Sequence, residues 1–250
     1  LPRNNVAGSG IGRRWLAKAS GQADDVSMSM RTRAVEAARM VLAHRHPVFA
    51  HNAESEPMDL VALKDELARF GTRNDACETE RGRRMLNITA DTGELLSVLV
   101  RFGNARRVLE IGTSNGYSTL WLAEAAAAID GQVTTLEFAA DKVAMARANF
   151  ARSGLGERIN LVHGDAGQWL AQAEQGCIDL LFLDSDRGQY AGWWPQLRRV
   201  LRPGGLLVVD NATSHAGEMA PLRALLAADA AFTTSLVPVG NGELLALRNT

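Results

Sequence analysis

Arg106 to Thr119 reads RRVLEIGTSNGYST. An apolar run of Val108, Leu109 and Ile111 carries one acid, Glu110, stops at Gly112 and gives way to a helix-like segment. A short, nearly uninterrupted apolar run marks a strand buried on both faces, and such a strand belongs in a parallel sheet covered by helices. A glycine directly behind it lets the backbone turn sharply into a helix, whose first N–H groups then point at whatever docks there. The turn therefore constrains the chain to an α/β fold with a small-ligand cradle at a strand's carboxyl end.

The spacing Glu110-x-Gly112-x-x-x-Gly116 bears on which ligand the cradle takes. A dinucleotide fingerprint needs glycine two residues after Gly112 and a small residue three further on. Ser114 and Tyr117 stand there instead. A cofactor with an amino-acid tail suits the site better, with Glu110 on its ammonium and the helix N-terminus on its carboxylate. S-adenosylmethionine has that tail. On the glycines alone an ordinary strand-to-helix turn is the favoured reading, but two further strand ends carry acids. Glu137 closes VTTLE, where doubly wound folds accept ribose hydroxyls, and Asp165 follows INLVHG, placed to meet an adenine edge.

Around this turn, strands alternate with helices: strand 106–111, helix 117–128, strand 133–137, helix 141–153, strand 159–162, helix 167–174 and strand 178–183. Helix 191–201, a turn at Arg202-Pro203-Gly204-Gly205, strand 206–209, helix 217–228 and strands 233–238 and 242–247 complete the chain. The last two strands flank Gly240-Asn241, a hairpin signal. The fold class is α/β, a doubly wound, mostly parallel seven-stranded sheet with an antiparallel last strand and N-terminal cap helices. Residues 1–27 read as a flexible basic extension and 28–84 as cap helices, with amphipathic runs at Met30–Leu42 and Asp59–Phe70. Residues 85–250 form the ligand-binding domain. His44, His46 and His51 flank Pro47 without an acid nearby and read as loop residues.

The 250 residues are 46% hydrophobic, enough for a full core, and the net charge of −1 does not demand a nucleic-acid partner. Residues 1–50 nevertheless hold eight Lys/Arg against three Asp/Glu. Two cysteines, Cys77 and Cys177, with no paired framework point to a cytoplasmic setting, and no run is long and apolar enough for a membrane partner.

Two more strands end in acids at the same sheet edge: LLFLD at Asp184, followed by Ser185-Asp186-Arg187, and LLVVD at Asp210, followed by Asn211. Asp184, Asp210 and Asn211 offer hard oxygen ligands suited to Mg²⁺, Mn²⁺ or Ca²⁺ rather than zinc. Turn capping accounts for each acid singly, whereas the pair beside a cradle favours a metal. Tyr190, Trp193 and Trp194 offer an apolar wall for a planar acceptor, or packing for their helix. His215 is near enough in sequence to reach the site.

The order E-x-G-x-x-x-G-Y-S, an acid after the second strand, D-x-x-R-x-x-Y (Asp184, Arg187, Tyr190) and D-N (Asp210, Asn211) resembles the cation-dependent class I O-methyltransferases, which include the catechol and caffeoyl-CoA enzymes. The resemblance spans about Met85 to Arg248. It implies a Rossmann-like methyltransferase using S-adenosylmethionine and a divalent cation, with Mg²⁺ foremost, to methylate a hydroxyl of a small catechol-like or vicinal-oxygen acceptor. By the same resemblance Ile88, Glu110, Gly112, Ser114, Gly116, Tyr117 and Ser118 surround the methionine part. Glu137 takes the ribose, Phe138, Asp165 and Ala166 border the adenine, and Asp184, Asp210 and Asn211 ligate the metal. The family often carries lysine as general base where this chain has Arg187. Guanidinium stays protonated, so Arg187 is expected to stabilise an oxyanion while Asp186 or solvent accepts the proton, and Asp184 joins them as a catalytic residue. A homodimer is implied as well. Three alternatives remain: a tRNA hydroxyuridine methyltransferase, for which the basic arm speaks; a non-catalytic cofactor-binding protein; and a nicotinamide-dependent oxidoreductase.

Overall fold

The computed structural model describes residues 59–250. Their elements are α1 (Leu60–Cys77), α2 (Ala90–Phe102), β1 (Arg107–Ile111), α3 (Tyr117–Ala127), β2 (Gln132–Glu137), α4 (Ala140–Ser153), β3 (Ile159–His163) and α5 (Ala166–Gln172). They continue with β4 (Ile178–Leu183), α6 (Arg187–Val200), β5 (Leu201–Val209), α7 (Ala216–Ala228), β6 (Phe232–Val237) and β7 (Glu243–Arg248). One seven-stranded sheet has the order β3-β2-β1-β4-β5-β7-β6. β1 to β5 pair in parallel, and β7 runs antiparallel to both β5 and β6.

Residues that alternate along the strands feed two cores. Leu109, Ile111, Leu181 and Leu183 pack with Leu170 of α5, Leu197 of α6 and Leu222 of α7. Val108, Leu180, Phe182 and Val208 point the other way, into Leu63 of α1, Leu96 and Val100 of α2, Leu120 of α3 and Phe150 of α4. Each such side chain, fully buried, contributes roughly 1.5–3 kcal/mol, which is why β1 and β4 read as apolar rather than alternating strands. The chain leaves β1 in one direction, to β2 and β3, and returns on its other side through β4. That reversal opens a crevice beyond the carboxyl ends of β1 and β4.

Three expectations change. α6 begins at Arg187, not 191, because the Asp186 carboxylate caps it by accepting the Gly188 N–H at 3.0 Å. The Arg202–Gly205 turn does not separate a helix from a strand. It is absorbed into β5, where the β4 pairing jumps from Ile178–Leu201 to Leu180–Leu206 and Arg202 Nε donates to Asp179 Oδ1 at 2.7 Å. The run at Asp59–Phe70 continues to Cys77, capped by Asp59. Met30–Leu42 and the three histidines around Pro47 lie outside the described residues. Among the described residues no helix is long and apolar enough to cross a membrane.

Candidate active site

A cavity of 1130 Å³ occupies the crevice, with room for a cofactor and a small acceptor together. Its floor is the turn after β1. Gly112 has φ +108°, and a Cβ there would lie 2.0 Å from the Asp184 carbonyl oxygen, so only glycine lets the ends of β1 and β4 come this close. Ser114 is also left-handed, at φ +50°. Its N–H donates to Glu137 Oε2 at 2.8 Å and its hydroxyl to the Met85 carbonyl at 2.7 Å. Glu137 Oε1 accepts the Ala139 N–H at 2.9 Å, so this carboxylate faces the cavity in a fixed orientation.

Glu110 differs from expectation. It is fully buried in β1 and does not border the cavity, whereas Ser118 does. Glu110 Oε2 accepts the hydroxyls of Thr119 and of Thr135, the latter at 2.6 Å. Burial pushes its carboxyl up to about 7, against the opposing pull of the neighbouring hydroxyls. Its Oε1 has no hydrogen-bond partner. Asn115, buried and on the cavity wall, directs Oδ1 at the Tyr117 N–H and leaves Nδ2 without a partner. A buried orphan acceptor and a buried orphan donor thus flank one turn, in a class of groups that is nearly always satisfied. Gly116 and Tyr117 do not border the cavity. A Cβ at Gly116 would meet the Phe150 ring at 2.5 Å, and Tyr117 packs edge-on against Trp121.

At the β2–β3 end, Ile88, Phe138, Asp165 and Ala166 all line the cavity. Phe138 is 76% exposed, an apolar ring held open toward the void. Asp165 caps α5 through the Gln168 N–H at 2.8 Å.

The opposite end is acidic. Asp184, Asp186, Arg187, Asp210, Asn211, Trp193, His215 and Glu218 line it. Burial and mutual repulsion hold the Asp184 carboxyl well above the ordinary carboxylate range, and burial raises that of Asp210. The buried Arg187 guanidinium opposes both shifts and donates through Nε to Glu218 at 2.9 Å. Asn211, at φ +64°, donates its Nδ2 to Asp210 at 2.6 Å and accepts from Ser214 on Oδ1. Glu243, fully buried behind Asp210, is pushed up to about 10 by burial and the adjacent Asp210 charge, and it accepts the Thr92 hydroxyl at 3.0 Å. Among the described residues no three His, Cys, Asp or Glu side chains form a metal-binding group. The candidate trio of two acids and one amide offers only hard oxygens, and its like charges sit side by side, which fits a divalent cation.

Tyr190 is not a cavity wall. It is buried, and its hydroxyl accepts the Ser185 N–H at 2.6 Å, which fixes the loop after β4. Trp194 packs on Phe232, while Trp193 does face the cavity. Sequence reasoning missed Asp75, Lys142 and Asn115. All three line the cavity; Asp75 and Lys142 are isolated polar residues with no motif around them, while Asn115 occupies an unspecified position inside the Gly112–Gly116 turn.

The O-methyltransferase family model matches residues 64–249. The catechol O-methyltransferase of Mycobacterium tuberculosis is 36% identical over 161 residues, covering 64% of this chain and 71% of that protein. The catechol O-methyltransferase of Niastella koreensis is 33% identical over 156 residues, 61% of this chain and 69% of its own length. Among solved structures, the O-methyltransferase TomG of Streptomyces achromogenes, involved in tomaymycin synthesis and solved in complex with SAM, superposes with a TM-score of 0.64 at 27% identity. That match covers 75% of this chain and 90% of TomG. With a family match across most of its length, on the sheet order and strand-end cavity described above, the chain belongs to the O-methyltransferase family.

Proposed function

We propose that this protein transfers the methyl group of S-adenosylmethionine to a hydroxyl oxygen of a small catechol-like acceptor, with a divalent cation held by Asp184, Asp210 and Asn211. The observation that carries the cofactor is Asn115 Nδ2, a buried donor without a partner on the cavity wall at the turn after β1. An unpaired donor there matches the carboxylate of an amino-acid tail. Glu137, immobilised by two backbone N–H groups, retains lone pairs for ribose hydroxyls. Phe138 offers the adenine an apolar face beside Asp165 and Ala166.

The acid end fits the acceptor. A cation bound there lowers the pKa of an acceptor hydroxyl and fixes its orientation. Arg187, always protonated, stabilises negative charge as it develops on the acceptor oxygen. The new O–CH₃ bond forms as the S–CH₃ bond breaks, the sulfonium leaves as a neutral thioether, and the hydroxyl proton passes to Asp186 or solvent. Trp193 and His215 border the space left for the acceptor ring.

The test is calorimetric titration of S-adenosylmethionine, followed by methyl transfer to a catechol panel with Mg²⁺ or with a chelator. The reading expects cofactor binding in both conditions and turnover only with metal. Binding without any metal effect removes the cation from the proposal, and absence of cofactor binding overturns it altogether.

A further inference from the structure

Residues Arg84 to Asn87 form a strap along the cavity rim, bonded from four sides. Lys142 Nζ donates to the Arg84 carbonyl at 2.8 Å, the Ser114 hydroxyl holds the Met85 carbonyl, and Asn87 Nδ2 donates to the Leu67 carbonyl at 3.0 Å. The fourth tie comes from the end of α1: Asp75 takes the Met85 N–H at 2.6 Å on Oδ1 and the Leu86 N–H at 2.8 Å on Oδ2, and Asn74 Oδ1 also accepts the Met85 N–H, at 3.2 Å.

Three features of this arrangement are individually unfavourable. Asp75 sits in the last turn of α1, where the helix dipole disfavours an acid. Leu86 has φ +51°, a region that a leucine Cβ resists. Its side chain is 41% exposed, on the cavity wall. Their coincidence at one point of the rim is the pattern of backbone strain retained for a site. The strain also does not stand alone, because Met85 joins left-handed Leu86 to left-handed Ser114, and the Ser114 N–H in turn orients Glu137. Relaxing Leu86 rotates the peptide that precedes it, carries the Met85 carbonyl away from the Ser114 hydroxyl, and releases the serine that sets Glu137.

We propose that Asp75 is a positioning residue for cofactor binding: its carboxylate clasps Met85 and Leu86, holds Leu86 left-handed over the cavity and, through Met85 and Ser114, sets the Glu137 carboxylate. This rests on the cavity being an S-adenosylmethionine site. The clasp alone is read by amide hydrogen exchange without cofactor, and its consequence by calorimetry with S-adenosylmethionine. Asp75→Ala is expected to speed exchange at Leu86, while Asn74 still accepts the Met85 N–H, and to raise the cofactor Kd about tenfold, through loss of two charge-assisted hydrogen bonds. Glycine takes positive φ freely, so in a Leu86→Gly background the same Asp75→Ala change is expected to raise Kd less than about threefold.

A loss of equal size in both backgrounds overturns the proposal, because a merely structural aspartate is indifferent to the backbone at residue 86. Unchanged exchange at Leu86 in Asp75→Ala overturns it as well, whatever the cofactor does. If the wild-type protein shows protected amides there but binds no S-adenosylmethionine, the clasp stands as geometry. In that case the reading of the cavity fails, and the positioning role fails with it.

Discussion

The carboxyl ends of β1 to β3 face those of β4 and β5, with the amino end of antiparallel β7 behind them, across one cavity, but the two sides are prepared for ligands by different means. The first region is shaped by backbone: Gly112, Ser114 and Leu86 hold positive φ, backbone N–H groups are tied to Glu137 and Asp75, and two polar atoms are left unpaired. The second is shaped by charge: Asp184, Asp210 and Glu243 crowd together, each raised, with buried Arg187 opposing the first two. On the proposed reading, a cofactor of invariant shape is met by rigid geometry, and an acceptor whose proton must leave is met by a field. The contrast teaches that the two ends should fail differently.

The largest effect is expected where the regions touch. Gly112→Ala places a Cβ onto the Asp184 carbonyl, and urea unfolding should show a loss of ~3 kcal/mol or more. Next, Asp210→Asn is expected to cut methyl transfer on the order of a hundredfold and to remove any chelator effect, while cofactor Kd moves less than about threefold. A matching collapse of cofactor affinity would break the division into two ends.

Glu110→Gln is the converse, predicted to weaken cofactor binding about tenfold by loosening the Thr119 and Thr135 hydroxyls that hold the turn after β1. Its pH signature has a definite sign. Folding raises the Glu110 carboxyl from 4.5 to about 7, so the folded state favours the protonated acid. Its contribution to stability is fully present below 4.5 and is lost as pH rises to about 7. Without cofactor, stability should therefore fall across that window, and the fall should shrink in Glu110→Gln. The smallest effect belongs to Glu218→Gln. Its carboxylate is 57% exposed, so the ion pair with Arg187 contributes at most ~1 kcal/mol and turnover should change less than about threefold. A large effect there would sharpen the acid end to include Glu218 in orienting the guanidinium.

The sheet was legible because its signals are local. Six buried residues in β4 and an apolar run broken by Gly112 declare parallel strands, and Gly240-Asn241 declares the closing hairpin. The acids at the strand ends were legible too, since an acid that ends a buried strand must lie at the ligand edge. Roles that depend on the direction of a side chain were not. Tyr190 stands three residues beyond Arg187 and reads as an acceptor wall, but its hydroxyl turns inward to the Ser185 N–H. Glu110 reads as a cavity carboxylate, yet it is the strand register that sets it against Thr135 and beneath the surface.

By itself, then, the amino-acid order determined the alternation of strand and helix, the sharp turn at Gly112 and the set of acids at the sheet edge. These follow from periodicity, glycine φ and apolar burial within a dozen residues. Only the tertiary structure decided how those acids are held. Thr92 reaches Glu243 across 151 positions, Asp75 reaches Met85 across a helix end, and buried Arg187 pairs with Glu218 while opposing the raised carboxyls of Asp184 and Asp210. Hydrogen bonds and fields act through space, and their partners are chosen by the packing of the finished sheet.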